Sequence, residues 1–193
     1  MKPILVLYAT RQGQACRIAE HVADTLRSRH LTTEIVDAAG IPDGFSLSKF
    51  SMAFLIASVH LGKHEPEMKA FIKSHLPELE GMRTAFVSVS LSQAGAEDPL
   101  SQSEKRLQAH ADVKRTIGDF LAECDWHPSR VEAVAGALMY LKYNFALRFV
   151  MKRVARAAGK STDTSRNHEF TDWVRLDQVV QDFATTEPSL SSV

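Results

Sequence analysis

The chain has 193 residues, 45% hydrophobic and 24% charged, with 23 Lys and Arg balanced by 23 Asp and Glu. That apolar content and zero net charge exclude disorder over most of the length, which needs few apolar residues or a strong net charge. They also exclude the global basic excess that marks nucleic-acid binders, so no nucleic-acid partner is expected.

Ile4–Tyr8 is a continuous run of largely branched apolar residues and predicts a strand buried on both faces. Thr10–Ala15 reads as a loop. Ile18, Ala19, Val22, Ala23 and Leu26 recur at helical spacing and predict a helix over about 15–30. Thr33–Asp37 is a second strand, and 38–48 is a loop punctuated by Gly40, Pro42, Asp43 and Gly44. Ala53–Val59 is a third strand. His60–Pro66 is then a turn, and Glu67–Leu79 a helix with Met68, Phe71, Ile72 and Leu76 on one side. Thr84–Val89 is a fourth strand, Leu91–Pro99 a loop, and 101–123 a helix. Val131–Ala137 is a fifth strand. A last helix over about 172–184 is opened by Thr171 as N-cap, and the polar run 185–193 is expected to be a flexible tail.

Strands alternating with helices predict one α/β domain over residues 1–184, with a parallel sheet, helices on both faces and right-handed crossovers. Five strands suit the doubly wound order 2-1-3-4-5. The stretch of about 138–168 does not fit and reads as an insertion before the last helix. Cys16 and Cys124 are far apart with no metal-type spacing, so neither a disulfide framework nor a metal site is expected, and a reducing cytoplasm is the simplest compartment. The N-terminal apolar run is too short for a signal peptide, and no stretch approaches the ~20 apolar residues of a membrane span.

In such sheets ligands sit beyond the carboxyl ends of the strands. The first such loop, TRQGQA, lacks both the GxGxxG of dinucleotide sites and the GxxxxGK[ST] of nucleotide triphosphate sites. The third strand ends in Ala57-Ser58, without the carboxylate of a phosphoacceptor domain. What remains is a short loop with a hydroxyl at Thr10 and a glycine at Gly13, running into a helix N-terminus. That arrangement cradles a phosphate monoester or is simply a tight strand-to-helix turn.

The loop LYATRQGQ resembles the phosphate loop of the flavodoxin family, roughly T/S-x-T-G-x-T. More closely, IASVHLGKH, FVSVSL, WHPSR, AGALMYLKYN, RFVMK, STDT and FTDW, in this order, resemble the menaquinone-dependent protoporphyrinogen oxidase family, over roughly residues 2–184. The resemblance implies a flavodoxin-like three-layer sandwich and an FMN cofactor. Its phosphate would be held by Thr10, Arg11, Gln12, Gly13, Gln14 and Ala15. Its ring would lie between Ser58, Val59, His60, Leu61 and Gly62 on one side and Ser90, Leu91 and Ser92 on the other. Ala9 and Ala15 stand where the family pattern has hydroxyl residues. The implied activity is oxidation of protoporphyrinogen IX to protoporphyrin IX, in haem biosynthesis, with electrons passed to a membrane quinone.

Within the insertion Lys142, Arg148, Lys152, Arg153, Arg156 and Lys160 are unrelieved by any acid between Glu132 and Asp163. The stretch 144–158 reads as a basic amphipathic helix, suited to the anionic inner face of a cell membrane or to plain docking on the sheet. With the resemblance, Lys142, Arg148 and Lys152 become candidate partners for substrate propionates, and Tyr140 and Tyr143 candidate stacking residues. One of His60 and His64 is expected beside the flavin. Cys16, Trp126 and Trp173 are expected to pack, and Asp163 to form a turn. A flavodoxin-type electron carrier or FMN-dependent quinone reductase is the alternative activity, although carriers are usually acidic. A cofactor-free binding domain is the third.

Overall fold

The structure is a computed structural model that describes residues 2–138, 149 and 163–185. The first strand, β1 (Ile4–Ala9), is buried on both faces as its unbroken apolar run requires, and feeds α1 (Gln14–Arg27) through the Thr10–Gly13 turn. There follow β2 (Thr33–Asp37), β3 (Met52–His60), β4 (Lys63–His64), α2 (Pro66–Ser74), α3 (Leu76–Glu80), β5 (Arg83–Ser90), α4 (Leu91–Ala96), α5 (Ser103–Cys124) and β6 (Arg130–Ala135). The described chain ends with β7 (Ala137–Leu138), β8 (His168–Glu169) and α6 (Trp173–Thr185).

The five long strands run parallel in the order β2-β1-β3-β5-β6, with β4 folded back antiparallel on β3. This is the doubly wound order expected from the alternation. Strand periodicity splits the apolar residues between two cores. Leu5, Leu7, Leu55 and Phe86 meet Met68, Phe71, Phe120 and Trp126 on one face. Ile4, Val6, Phe54, Ile56 and Val87 meet Ile18, Val22, Leu176, Val180 and Phe183 on the other. Trp126 is thus a core residue at 1% exposure.

Four local expectations are corrected. Residues 91–96, expected as loop, form α4, because the Ser90 hydroxyl accepts the Gln93 N–H at 3.1 Å and caps the helix. Removing that cap, Ser90→Ala, is expected to cost ~1 kcal/mol in urea unfolding. The helix expected over 67–79 breaks at His75, where Pro77 lacks the N–H that would bond back to the Lys73 carbonyl. The first helix stops at Arg27 and not near residue 30. The last helix is capped by Asp172, whose carboxylate accepts the Arg175 N–H at 3.0 Å, and not by Thr171. The Thr171 hydroxyl is turned inward and donates to the Ala135 carbonyl at 2.8 Å.

The expected turn at 60–66 is a tight hairpin in which His60 pairs with Lys63 and Val59 with His64. Its two central residues, Leu61 and Gly62, have φ of 50° and 75°. Such a turn needs positive φ at both positions, which Gly provides freely and Leu does not. Leu61 is also 84% exposed. Leu61→Asn is therefore expected to raise stability by ~1 kcal/mol, read as a higher urea midpoint. A lower midpoint would show that the leucine side chain packs.

Beyond β6, β7 and β8 pair antiparallel, with Ala137 opposite Glu169 and Leu138 opposite His168. The expected basic helix of about 144–158 and most of the tail fall outside the described residues. Asp163 forms the expected turn, its Oδ1 accepting from the Ser165 N–H and hydroxyl at 2.9 and 2.6 Å.

Candidate functional site

The carboxyl ends of β1, β3, β5 and β6 open into one cleft, as the parallel order dictates. Of the residues expected there, Thr10, Arg11, Gln12, Gln14, Ser58, Val59, His60, Leu61, Ser90, Leu91 and Ser92 line it. Gly13, Ala15 and Gly62 shape its loops without lining it. Ala9 and Ala15, the two positions without the expected hydroxyl, are core residues at 1% and 0% exposure. Gly136 and Ala137, which close the β6 end, went unpredicted. The five substrate-contact candidates Tyr140, Lys142, Tyr143, Arg148 and Lys152 lie outside the described residues.

The floor is set by the turn before α1. Gly13 adopts φ 93°, a left-handed conformation that glycine enters without steric cost. The Thr10 hydroxyl accepts the Gly13 N–H at 3.0 Å, and the Gly13 carbonyl accepts the first helical N–H, from Arg17, at 3.1 Å. The amides of Gln14, Ala15 and Cys16 therefore have no carbonyl to bond within the helix. No acidic side chain sits in that first turn to oppose the helix dipole. This donor set fits a phosphate monoester.

The Gln14 side chain does not serve that purpose. Its amide donates to the Glu169 carboxylate at 2.7 Å and to the Thr171 hydroxyl at 3.0 Å, and Arg17 pairs with the same glutamate at 3.1 Å. Only the backbone of Gln14 is left to contact an anion. The side chain instead ties the phosphate loop to β8.

The walls differ in character. The β3–β4 hairpin brings Val59, His60 and Leu61, and the β5–α4 junction brings Val89, Ser90 and Leu91, so the upper cleft is a largely apolar slot. A flat aromatic ring fits such a slot, with phosphate at the helix end. The charged and titratable side chains lining it are Arg11, His60 and Glu65. Glu65 escaped the sequence reading, because an acid just before Pro66 at a helix start has an ordinary local role. Its carboxylate is buried and bonded to Arg11 and to Ser58.

The two histidines part company. His60 lines the cleft. His64 lies behind it, buried against the rings of Phe86 and Phe120 at 5.2 and 4.4 Å between centroids, with Nε2 2.8 Å from the Ser88 hydroxyl. Its Nδ1 is buried without a hydrogen-bond partner. Desolvation lowers its pKa from 6.5 to about 4, so the ring is neutral at physiological pH. Among the described residues no His, Cys, Asp and Glu group is arranged to hold a metal ion.

Comparison with known proteins agrees with this geometry. The flavodoxin domain family matches residues 5–165. A protein of Escherichia coli K12 named protoporphyrinogen IX dehydrogenase (quinone) is 29% identical over 188 residues, spanning 96% of this chain and 98% of its own. One of the same name from Leishmania major is 30% identical, over 93% of this chain and 74% of its own. Among solved structures, oxidised flavodoxin 1 from Bacillus cereus superposes with a TM-score of 0.52 at 14% identity, over 96% of this chain and 99% of that one. An archaeal flavodoxin superposes with a TM-score of 0.51 at 13% identity, over 94% and 96%. At such identity these two structures speak for the fold alone.

Proposed function

The chain belongs to the flavodoxin domain family, and from that premise we propose that it is an FMN-dependent oxidoreductase that oxidises protoporphyrinogen IX and passes the electrons to a membrane quinone. The observation that carries the reading is the cleft itself. A phosphate-sized donor set at the α1 N-terminus leads into an apolar slot between two strand-end loops. The two relatives named for that activity align over 96% and 93% of the chain, which supports the same chemistry here.

When bound, the flavin supplies two-electron acceptor chemistry. The protein supplies shape and charge. The Thr10 hydroxyl preforms the phosphate turn before the cofactor arrives, so little ordering entropy is lost on binding. His60 and Leu61 of the hairpin, with the Ser90–Leu91 corner, would flank the ring of a bound flavin and shield its faces from water. His60, in the hairpin wall, is the one imidazole among the residues lining the cleft. Lys142, Arg148 and Lys152 are assigned to the substrate propionates and Tyr140 and Tyr143 to stacking. The basic segment 144–158 is assigned to the anionic inner face of the cell membrane, where quinone and an oily substrate reside. Among the described residues no helix is long and apolar enough to cross that membrane.

The test is an anaerobic titration of the FMN-loaded protein with protoporphyrinogen, followed through the oxidised-flavin absorbance. Rapid bleaching that a menaquinone analogue reverses is the expected result. A bound flavin that stays oxidised would sink the porphyrinogen reading and favour an electron carrier or quinone reductase. Membrane docking is tested separately by sedimentation with anionic vesicles, where the Arg148→Glu, Lys152→Glu double variant is expected to remain in the supernatant.

A further inference from the structure

The cleft contains a buried carboxylate that none of the chemistry above uses. Glu65 is 3% exposed and stands at the start of α2, yet its side chain makes no cap to that helix. Its Oε2 instead accepts from the Arg11 guanidinium at 3.0 Å, across 54 residues of sequence, and its Oε1 accepts from the Ser58 hydroxyl at 3.2 Å. The acid is interior while the arginine side chain is 53% exposed. Both residues also border an adjoining recess that Asp37 and Glu67 line.

An acid beside a loop that receives a phosphate dianion is unfavourable unless a cation is fixed between them. Arg11 is such a cation. A guanidinium offers five N–H donors in a rigid fork, and a single short contact to Glu65 leaves most of them for a second oxyanion. Ser58 in turn restrains the carboxylate, so the half-exposed arginine is anchored from the interior.

We propose that Glu65 is a positioning residue that holds the Arg11 guanidinium at the phosphate loop, and that this pair makes the cleft select a phosphorylated flavin over an unphosphorylated one. The inference rests on the flavin reading above and goes beyond it by assigning the discrimination to a buried acid outside the loop. Without Glu65 a long, half-exposed arginine samples many rotamers, and each must be given up when the phosphate binds.

The test is equilibrium binding of FMN and of riboflavin to the full chain stripped of flavin, followed by quenching of flavin fluorescence. The proteins compared are the parent, Arg11→Ala, Glu65→Gln and the double variant. Each single change is expected to weaken FMN binding ~10-fold, the loss of one charge-assisted contact, and to move riboflavin binding by less than ~2-fold. The double variant is expected to bind FMN no more weakly than Arg11→Ala, because Glu65 acts through that arginine. Three results would overturn the proposal. They are tighter FMN binding by Glu65→Gln, equal losses for both flavins, and additive losses in the double variant. Arg11→Ala, at a half-exposed site, decides the matter should Glu65→Gln fail to fold. A parent protein that binds neither flavin would overturn the flavin reading itself, and this inference with it.

Discussion

Acidification from pH 6.5 to about pH 4 is expected to remove ~3 kcal/mol of stability through His64 alone. Burial against Phe86 and Phe120 keeps the imidazole neutral, lowering its pKa from 6.5 in the unfolded chain to about 4 in the folded one. Between those values the unfolded state binds a proton that the folded state refuses. Stability is therefore complete above pH 6.5, falls as the pH drops, and loses nothing further from this group below about 4. Urea midpoints at several pH values measure it. His64→Phe keeps an aromatic ring against Phe86 and Phe120, gives up the Ser88 bond, and should be less stable at neutral pH with a flatter acid profile. An acid slope as steep in the variant as in the parent would clear His64 of the effect.

Gly13→Ala is expected to weaken FMN binding about 100-fold while moving riboflavin far less, the loss of one or two bonds to a charged phosphate. The glycine sits at φ 93°, where any Cβ is strained by ~1–2 kcal/mol. Relief requires the turn to rotate. That swings the N–H held by Thr10 and the carbonyl that opens α1, and with them the amides of Gln14 and Ala15. The same titration of both flavins measures it. Equal losses for the two would mean that the substitution collapses the whole cleft, and unchanged FMN affinity would place the phosphate elsewhere.

The fold was legible wherever one residue pattern had one physical outcome. The unbroken runs Ile4–Ala9 and Ala53–Ala57, short and alternating with helical patterns, suit strands buried on both faces of a parallel sheet, and they form its centre. Residues 91–96 were not legible, because six residues rich in Ala and Gly carry no period, and their helix depends on one serine cap. Thr171 and Asp172 are both good caps, and only the inward pull of Ala135 and Gln14 on the threonine decides between them. The loops of the cleft could be placed by strand order. The commitment of the Gln14 amide to Glu169 and Thr171, and of Arg11 to Glu65, could not. Those partners lie 54 to 157 residues away, where spacing carries no signal.

The β7–β8 stem bears on how this chain can change over time. Among the described residues its last pair is Leu138 with His168, which face each other across the stem. The register of the five parallel strands is set upstream of the run between them, by pairs that all lie between Ile4 and Ala135. The stem stands at the cleft rim, beside Gly136 and Ala137 and tied to the phosphate loop through Gln14. Drift, duplication and exchange of sequence are thereby permitted at the rim while the cofactor floor stays under strict constraint, so new substrate preferences can arise on an unaltered redox scaffold.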